Sequence, residues 1–170
     1  MRGLIIKRTS KKGKGLFANK NFKKGELIFH HDKSKLKKLF LKEISKLSKE
    51  KQEHSDYVGN EKYVIDFYPC SYMNHSCSPN TVINMKSILK SEVYALKDIK
   101  KGEELTHDYS LTAVDQIDNK KGWVMKCRCG SKNCRKKITG DFFKLPKKIQ
   151  RKYFKYLPPY IKRKYKKRLI

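Results

Sequence analysis

The chain has 170 residues, 38% of them apolar and 35% charged, with 43 Lys and Arg against 16 Asp and Glu for a net charge of +27. That length suits one domain with its own core, and 10 Tyr with 8 Phe are too many for a disordered chain. No apolar run approaches the ~7–15 residues of a secretory signal or the ~18 of a membrane span, so an intracellular protein is expected.

In chain order, LIIKR (4–8), GLFAN (15–19) and ELIFHHD (26–32) read as short strands between Gly turns. Over residues 35–52, Leu36, Leu39, Phe40, Ile44 and Leu47 fall at three- and four-residue spacings among lysines, which predicts an amphipathic helix. KYVIDFYP (62–69) returns to strand character. TVINMK (81–86) and EVYALKDI (92–99) read as a hairpin around Ser87–Ser91, ELTHDY (104–109) as a last short strand, and residues 110–126 as loop or irregular helix. Leu145, Ile149, Tyr153, Tyr156 and Leu157 mark a helix with Pro146 in its first turn and Pro158-Pro159 as its stop. The basic end YIKRKYKKRLI is either a short helix or a frayed terminus.

Five cysteines in an intracellular chain are expected to be free or metal-bound. Cys127, Cys129 and Cys134 form C-x-C-x4-C, which suits a shared ion better than a strained local disulfide. A structural zinc wants four tetrahedral ligands, so a fourth must come from a distance, from Cys77 or Cys70. Lys126, Arg128, Lys132 and Arg135 would offset the thiolate charge. Cys77 lies in SYMNHSCSPN (71–80), which alone could also be a glycosylation sequon or a His75–Cys77 nucleophile. An intracellular address removes the sequon. The large positive field favours polyanions such as nucleic acid, although lysines on solvated faces give the same count.

Four pieces then appear in a known order. GKGLFANKNFKKGELI (13–28), SYMNHSCSPN (71–80), KKGEELTHDY (100–109) and KCRCGSKNCRKK (126–137) resemble the Gly-rich loop, the N-H-S-C-x-P-N motif, the G-E-E-L-T-x-D-Y motif and the post-SET cysteine segment of SET-domain protein lysine methyltransferases. The resemblance implies a mainly β fold of small sheets and short helices with a knot-like C-terminal threading. It divides the chain into a SET domain at 1–125 with a helical insertion at about 33–56, a zinc-binding post-SET segment at 126–140, and a basic helical tail at 141–170. It also implies a monomer, cytoplasmic or, in a eukaryotic cell, nuclear and chromatin-associated.

The implied reaction is direct methyl transfer from S-adenosylmethionine to a neutral lysine amine of a protein, such as a histone or another nucleic-acid-associated protein. By resemblance Tyr109 aligns the amine, and His107, where the family has an aromatic ring, helps set how many methyls fit. Gly13, Lys14, Gly15 and Leu16 bring backbone to the cofactor, Asn74 and His75 hold it, and Ile138 covers its adenine. Cys77, Cys127, Cys129 and Cys134 bind Zn²⁺, with Cys70 outside the pattern. Tyr63, Phe67, Tyr72 and Tyr94 are candidates for an aromatic lysine channel. Besides His107, two further departures stand out. His30-His31 replaces the usual Glu-Tyr, as proton-handling groups or as surface residues, and Ser71-Tyr72 replaces Arg-Phe. The competing class is a catalytically silent zinc module that binds nucleic acid, which composition alone favours.

Overall fold

The computed structural model describes residues 2–10, 13–112 and 124–168. The first hairpin pairs β1 (Leu4–Arg8) with β2 (Lys14–Ala18), Leu4 opposite Ala18. It turns at Gly13, whose φ of +72° favours glycine. Alternation along β2 sends Leu16 and Ala18 into the core. β3 (Leu27–Asp32), β8 (Thr81–Met85) and β9 (Lys90–Ala95) form an antiparallel sheet in the order β3-β9-β8. The hairpin expected around Ser87 is present, with the Ser87 hydroxyl accepting from the N–H groups of Leu89 and Lys90.

The expected helix over 35–52 is not continuous. Leu39–Phe40 is a two-residue strand, β4, and is followed by α1 (Leu41–Ile44) and α2 (Lys49–Glu53). The apolar spacing was helical, but only Ile44 of the five apolar residues is buried, so no continuous stripe holds a longer helix on the core. Leu39 instead pairs with Tyr63, and the Phe40 N–H donates to Glu43 Oε2 at 2.7 Å, which starts the helix late. β5 (Ser55–Gly59), which sequence reasoning missed, pairs with β6 (Lys62–Ile65) across Asn60 and Glu61, both left-handed. Two left-handed residues match the twist of a tight hairpin, and Gly59-Asn60 was the available signal.

β7 (Asn74–His75) and β10 (Thr106–His107) run parallel, Thr106 beside Asn74 and His107 beside His75. β11 (Val124–Lys126) pairs with β12 (Lys137–Thr139) and brackets the cysteine segment. Of the 110–126 stretch, residues 113–123 lie outside the described residues; Tyr109–Leu111 is a 3-10 turn. The tail forms α3 (Lys147–Tyr153), a 3-10 turn at Phe154–Tyr156 and α4 (Pro159–Lys164). Pro146 is the N-cap of α3 rather than part of its first turn, and α3 ends at Tyr153, before the expected Pro158-Pro159 stop; Pro159 instead opens α4. Phe142, Leu145, Tyr153, Leu157 and Ile161 bury into the same core as Leu16 and Val93. Among the described residues no helix is long and apolar enough to cross a membrane.

Candidate active site

The site is built where three motif segments meet. The Asn74 amide donates to Lys14 O at 3.1 Å and to Glu104 Oε1 at 2.7 Å, tying the Gly turn to the segment before β10. Gly15 sits inside this group of bonds. A Cβ there would lie 2.8 Å from Thr9 Cγ2, 2.9 Å from Glu104 Oε1 and 3.0 Å from Asn74 Nδ2, closer than side chains tolerate. Leu16 is buried behind it, and its carbonyl accepts from Leu105 N–H at 2.7 Å. Asn80 fixes the next turn. Its amide donates to Glu104 O at 2.8 Å and accepts from Thr106 N–H at 2.8 Å. Asn80 and Glu104, motif residues without an expected role, hold β10 and Asn74 in register.

Tyr109 follows directly. Its hydroxyl donates to Met73 O at 3.2 Å, and its ring stands 5.3 Å from His75 and 4.9 Å from His107. Burial pushes the phenol up to about 12, so it stays a neutral hydroxyl. Burial likewise pushes His107 down to about 4, Asp108 only partly opposing this, so its ring is neutral at pH 7. Both residues line a cavity of about 410 Å³, with Tyr57, Tyr63, Met73 and Ile83 among its walls.

The proposed channel residues separate here. Tyr63 lines the cavity. Phe67 and Tyr72 do not; each packs at 4.7 Å on His54, which does. Tyr94 is on the wrong face. It pairs with Val82, while Ile83, Met85 and Ser91 line the cavity from the opposite face, and its hydroxyl donates to Glu92 at 2.7 Å. The two histidines also divide. His30 is exposed near Glu92, whereas His31 is buried in the cavity wall, its Nε2 2.9 Å from Asp66 Oδ2. Lys33, also buried, pairs with Asp56. Cys70 joins this wall, and burial pushes its thiol up, so it stays protonated. Neither Asp66 nor Asp56 carried a motif signal.

The cysteines gather on the other side of β7. Cys77 Sγ is 3.7 Å from Cys127 Sγ, which is 3.7 Å from Cys134 Sγ. Backbone N–H groups point at sulfur, Cys77 N at Cys129 Sγ (3.5 Å) and Arg135 N at Cys77 Sγ (3.4 Å). Burial pushes Cys127 up to about 12. Cys129 feels burial too, but the Cys77 N–H and the Ser131 groups outweigh it and hold the thiol down to about 6. His75 completes a group with Cys77, Cys127 and Cys129 whose ligand atoms lie within 4.8 Å of one another. Its Nδ1 accepts from Tyr109 N–H at 3.2 Å, which assigns the proton to Nε2, 3.2 Å from Cys77 Sγ. Ile138, on β12, is buried at 2% exposure.

One link between the cysteines and Tyr109 escaped sequence reasoning. Arg135 grips Asp108 with two bonds of 2.6 Å, and Asp108 is only 3% exposed. Burial disfavours the guanidinium, yet the Asp108 bonds and charge hold its pKa above the ordinary value. The pair joins the residue before Tyr109 to the residue after Cys134.

Residues 13–110, more than half of the chain, match the SET domain family. The variant-silencing SET domain-containing protein of Plasmodium falciparum (isolate 3D7) is 31% identical over 147 residues, covering 79% of this chain and 6% of that protein. Histone-lysine N-methyltransferase 2D of Homo sapiens is 31% identical over 142 residues, covering 78% of this chain and 2% of its own length. Histone-lysine N-methyltransferase trithorax of Drosophila virilis is 28% identical over 142 residues, covering 75% and 3%. The chain therefore spans a few per cent of the length of these relatives. The match takes in the Gly turn, the Asn74–Asn80 stretch and Tyr109, the same segments that the fold draws together, and the chain belongs to the SET-domain family.

Proposed function

We propose that this chain is an S-adenosylmethionine-dependent protein-lysine N-methyltransferase. The observation that carries the reading is the Tyr109 hydroxyl in the cavity wall, bonded to Met73 O and set just after β10, which pairs with the β7 segment whose Asn74 holds the Gly turn. S-Adenosylmethionine supplies an electrophilic methyl on a cationic sulfur. The chain supplies the geometry. Tyr63 and Tyr109 offer aromatic walls to a lysine stem. A free lysine has a pKa of ~10.4, so the amine must lose its proton before it attacks. The Tyr109 oxygen accepts a hydrogen bond from that amine and aligns its lone pair; no covalent enzyme intermediate is needed. His107 neighbours Tyr109 as a neutral ring and limits the space around the amine.

Lys14, Gly15, Leu16, Asn74 and His75 would hold the cofactor, with Ile138 against its adenine. At Gly15 a Cβ would crowd Thr9, Glu104 and Asn74, so glycine keeps the Asn74 bonds of this turn in place. The Asn74 nitrogen is already engaged with Lys14 and Glu104, so a cofactor contact through it exchanges one of these partners.

The cysteine cluster suits Zn²⁺. Tetrahedral thiolates at about 2.3 Å from zinc stand about 3.8 Å apart, and two of the sulfur pairs are 3.7 Å apart. Cys77, Cys127, Cys129 and Cys134 are the preferred ligands. His75 serves better as a donor to the Cys77 thiolate, since its other nitrogen is engaged by Tyr109. The metal would fold residues 126–140 over the site rather than take part in the chemistry.

Two of the relatives are named histone-lysine methyltransferases, which favours a histone-like protein substrate and a nuclear place. An intact Tyr109, Gly15 and Asn74 favour the enzyme over a silent zinc module. The test is thermal stabilisation by S-adenosylhomocysteine. At a hundredfold excess over Kd it should add about 2.7 kcal/mol, roughly 5–10 °C for a domain of this size. No shift at millimolar ligand would point to the silent module.

A further inference from the structure

We infer that the C-terminal helices form a docking surface for the phosphate backbone of nucleic acid, independent of the methyl-transfer reading. From Phe142 to Ile170 the chain has twelve Lys and Arg and no Asp or Glu. The basic segment at 35–53 differs, because Glu43, Glu50 and Glu53 lie within it and it carries the Lys49–Glu53 and Lys14–Glu50 pairs.

The C-terminal cations stand on a fixed surface. Tyr153, Leu157 and Ile161 are buried in the core, and the Gln150 amide donates to Phe143 O at 3.0 Å and Leu145 O at 2.6 Å. At 100° per residue, Lys148, Arg151 and Lys152 project from the side of α3 opposite Gln150 and Tyr153, and Lys155 continues their line into the 3-10 turn. All four are exposed. Lys162 Nζ donates to Lys155 O at 3.1 Å and joins α4 to this stripe.

The surface fits a polyanion rather than a bilayer. The exposed large apolar side chains among the described residues all lie outside 142–168, so α3 and α4 offer no wedge for acyl chains. A repulsive field of +27 also leaves a bare basic protein a poor partner, whereas nucleic acid carrying such a protein presents the opposite sign.

The experiment compares three versions of the whole 170-residue chain: wild type, Lys148→Gln/Arg151→Gln/Lys152→Gln/Lys155→Gln, and a charge-matched control, Lys35→Gln/Lys37→Gln/Lys38→Gln/Lys42→Gln. Fluorescence anisotropy with two unrelated 25-base-pair duplexes follows affinity across a salt series, with phosphatidylserine vesicles as a second probe. Melting temperatures check that each protein is folded. Wild type should bind both duplexes alike. The α3 variant should bind at least tenfold more weakly, and its log–log salt slope should flatten by about 0.9 for each phosphate no longer neutralised. The control should change little. Equal weakening in the two variants would assign binding to net charge and overturn the proposal. Absence of duplex binding near 0.15 M salt, or α3-dependent binding to vesicles alone, would also overturn it.

Discussion

The bidentate Arg135–Asp108 pair should be worth more to this fold than any other ion pair among the described residues. Arg135→Leu removes two bonds of 2.6 Å from a carboxylate that is 3% exposed. The Ser110 N–H at 3.1 Å remains, and His75 Nδ1 lies 3.6 Å away, so Asp108 keeps one firm donor. Breaking a buried pair from one side costs about 3–5 kcal/mol. Arg135 retains some solvent access, its side chain being 16% exposed, so the lower end, about 3 kcal/mol, is expected. For a chain of this size that lowers Tm by roughly 6–12 °C. Replacing both partners, Asp108→Asn with Arg135→Leu, leaves no uncompensated charge and should recover more than about 1 kcal/mol of the summed single costs. Urea unfolding of the four proteins measures the cycle. A single-mutant cost under about 0.5 kcal/mol, or strict additivity, would refute the latch.

Other outcomes follow from the same geometry. His107 is held down to about 4 from its ordinary 6.5, so the unfolded chain takes up a proton that the fold refuses between these values. Stability should therefore fall by about 3 kcal/mol as pH drops from 6.5 to 4. His107→Phe should flatten that part of the curve in urea midpoints taken at pH 7, 5.5 and 4.5; an unchanged profile would contradict a buried neutral ring. Gly15→Ala should weaken S-adenosylhomocysteine at least tenfold by calorimetry, because its Cβ meets Glu104 and Asn74. Gly13→Ala, whose Cβ meets no protein atom within 4 Å, should cost about 1 kcal/mol of backbone strain and weaken the ligand far less than Gly15→Ala. Cys134→Ser should abolish stoichiometric zinc, measured by metal analysis after gel filtration, while His75→Gln retains it; the reverse pattern would select the His75 ligand set.

Much of this was legible because short-range patterns reported it directly. The runs at 81–86 and 92–99 revealed the hairpin, although its second strand ends at Ala95, and the cysteine spacing revealed the cluster. Strict alternation would have set Tyr94 on the face opposite Val93, which is fully buried toward the cavity face. The helix over 35–52 failed because apolar spacing says nothing of whether a core lies beneath; only Ile44 found one. Asp108–Arg135 and His31–Asp66 were invisible for a different reason. Each pairs ordinary charged residues 27 and 35 positions apart, and only the fold brings them together. The motif resemblance gave roles to Asn74 and Tyr109 but none to Glu104 and Asn80, motif residues whose bonds to Asn74 and Thr106 only the fold reveals.

The functional reading turns on Tyr109 organising methyl transfer in the cavity it lines. The decisive measurement is transfer of a labelled methyl from S-adenosylmethionine to histones, ribosomal proteins and DNA-binding proteins, with the modified residue located by mass spectrometry. Tyr109→Phe is run alongside, with its binding of S-adenosylhomocysteine checked. The wild type should place label on lysine Nζ, and Tyr109→Phe should be slower by about 10²-fold or more with the ligand still bound. Equal rates in the two proteins, or label on a residue other than lysine, would contradict that role for Tyr109.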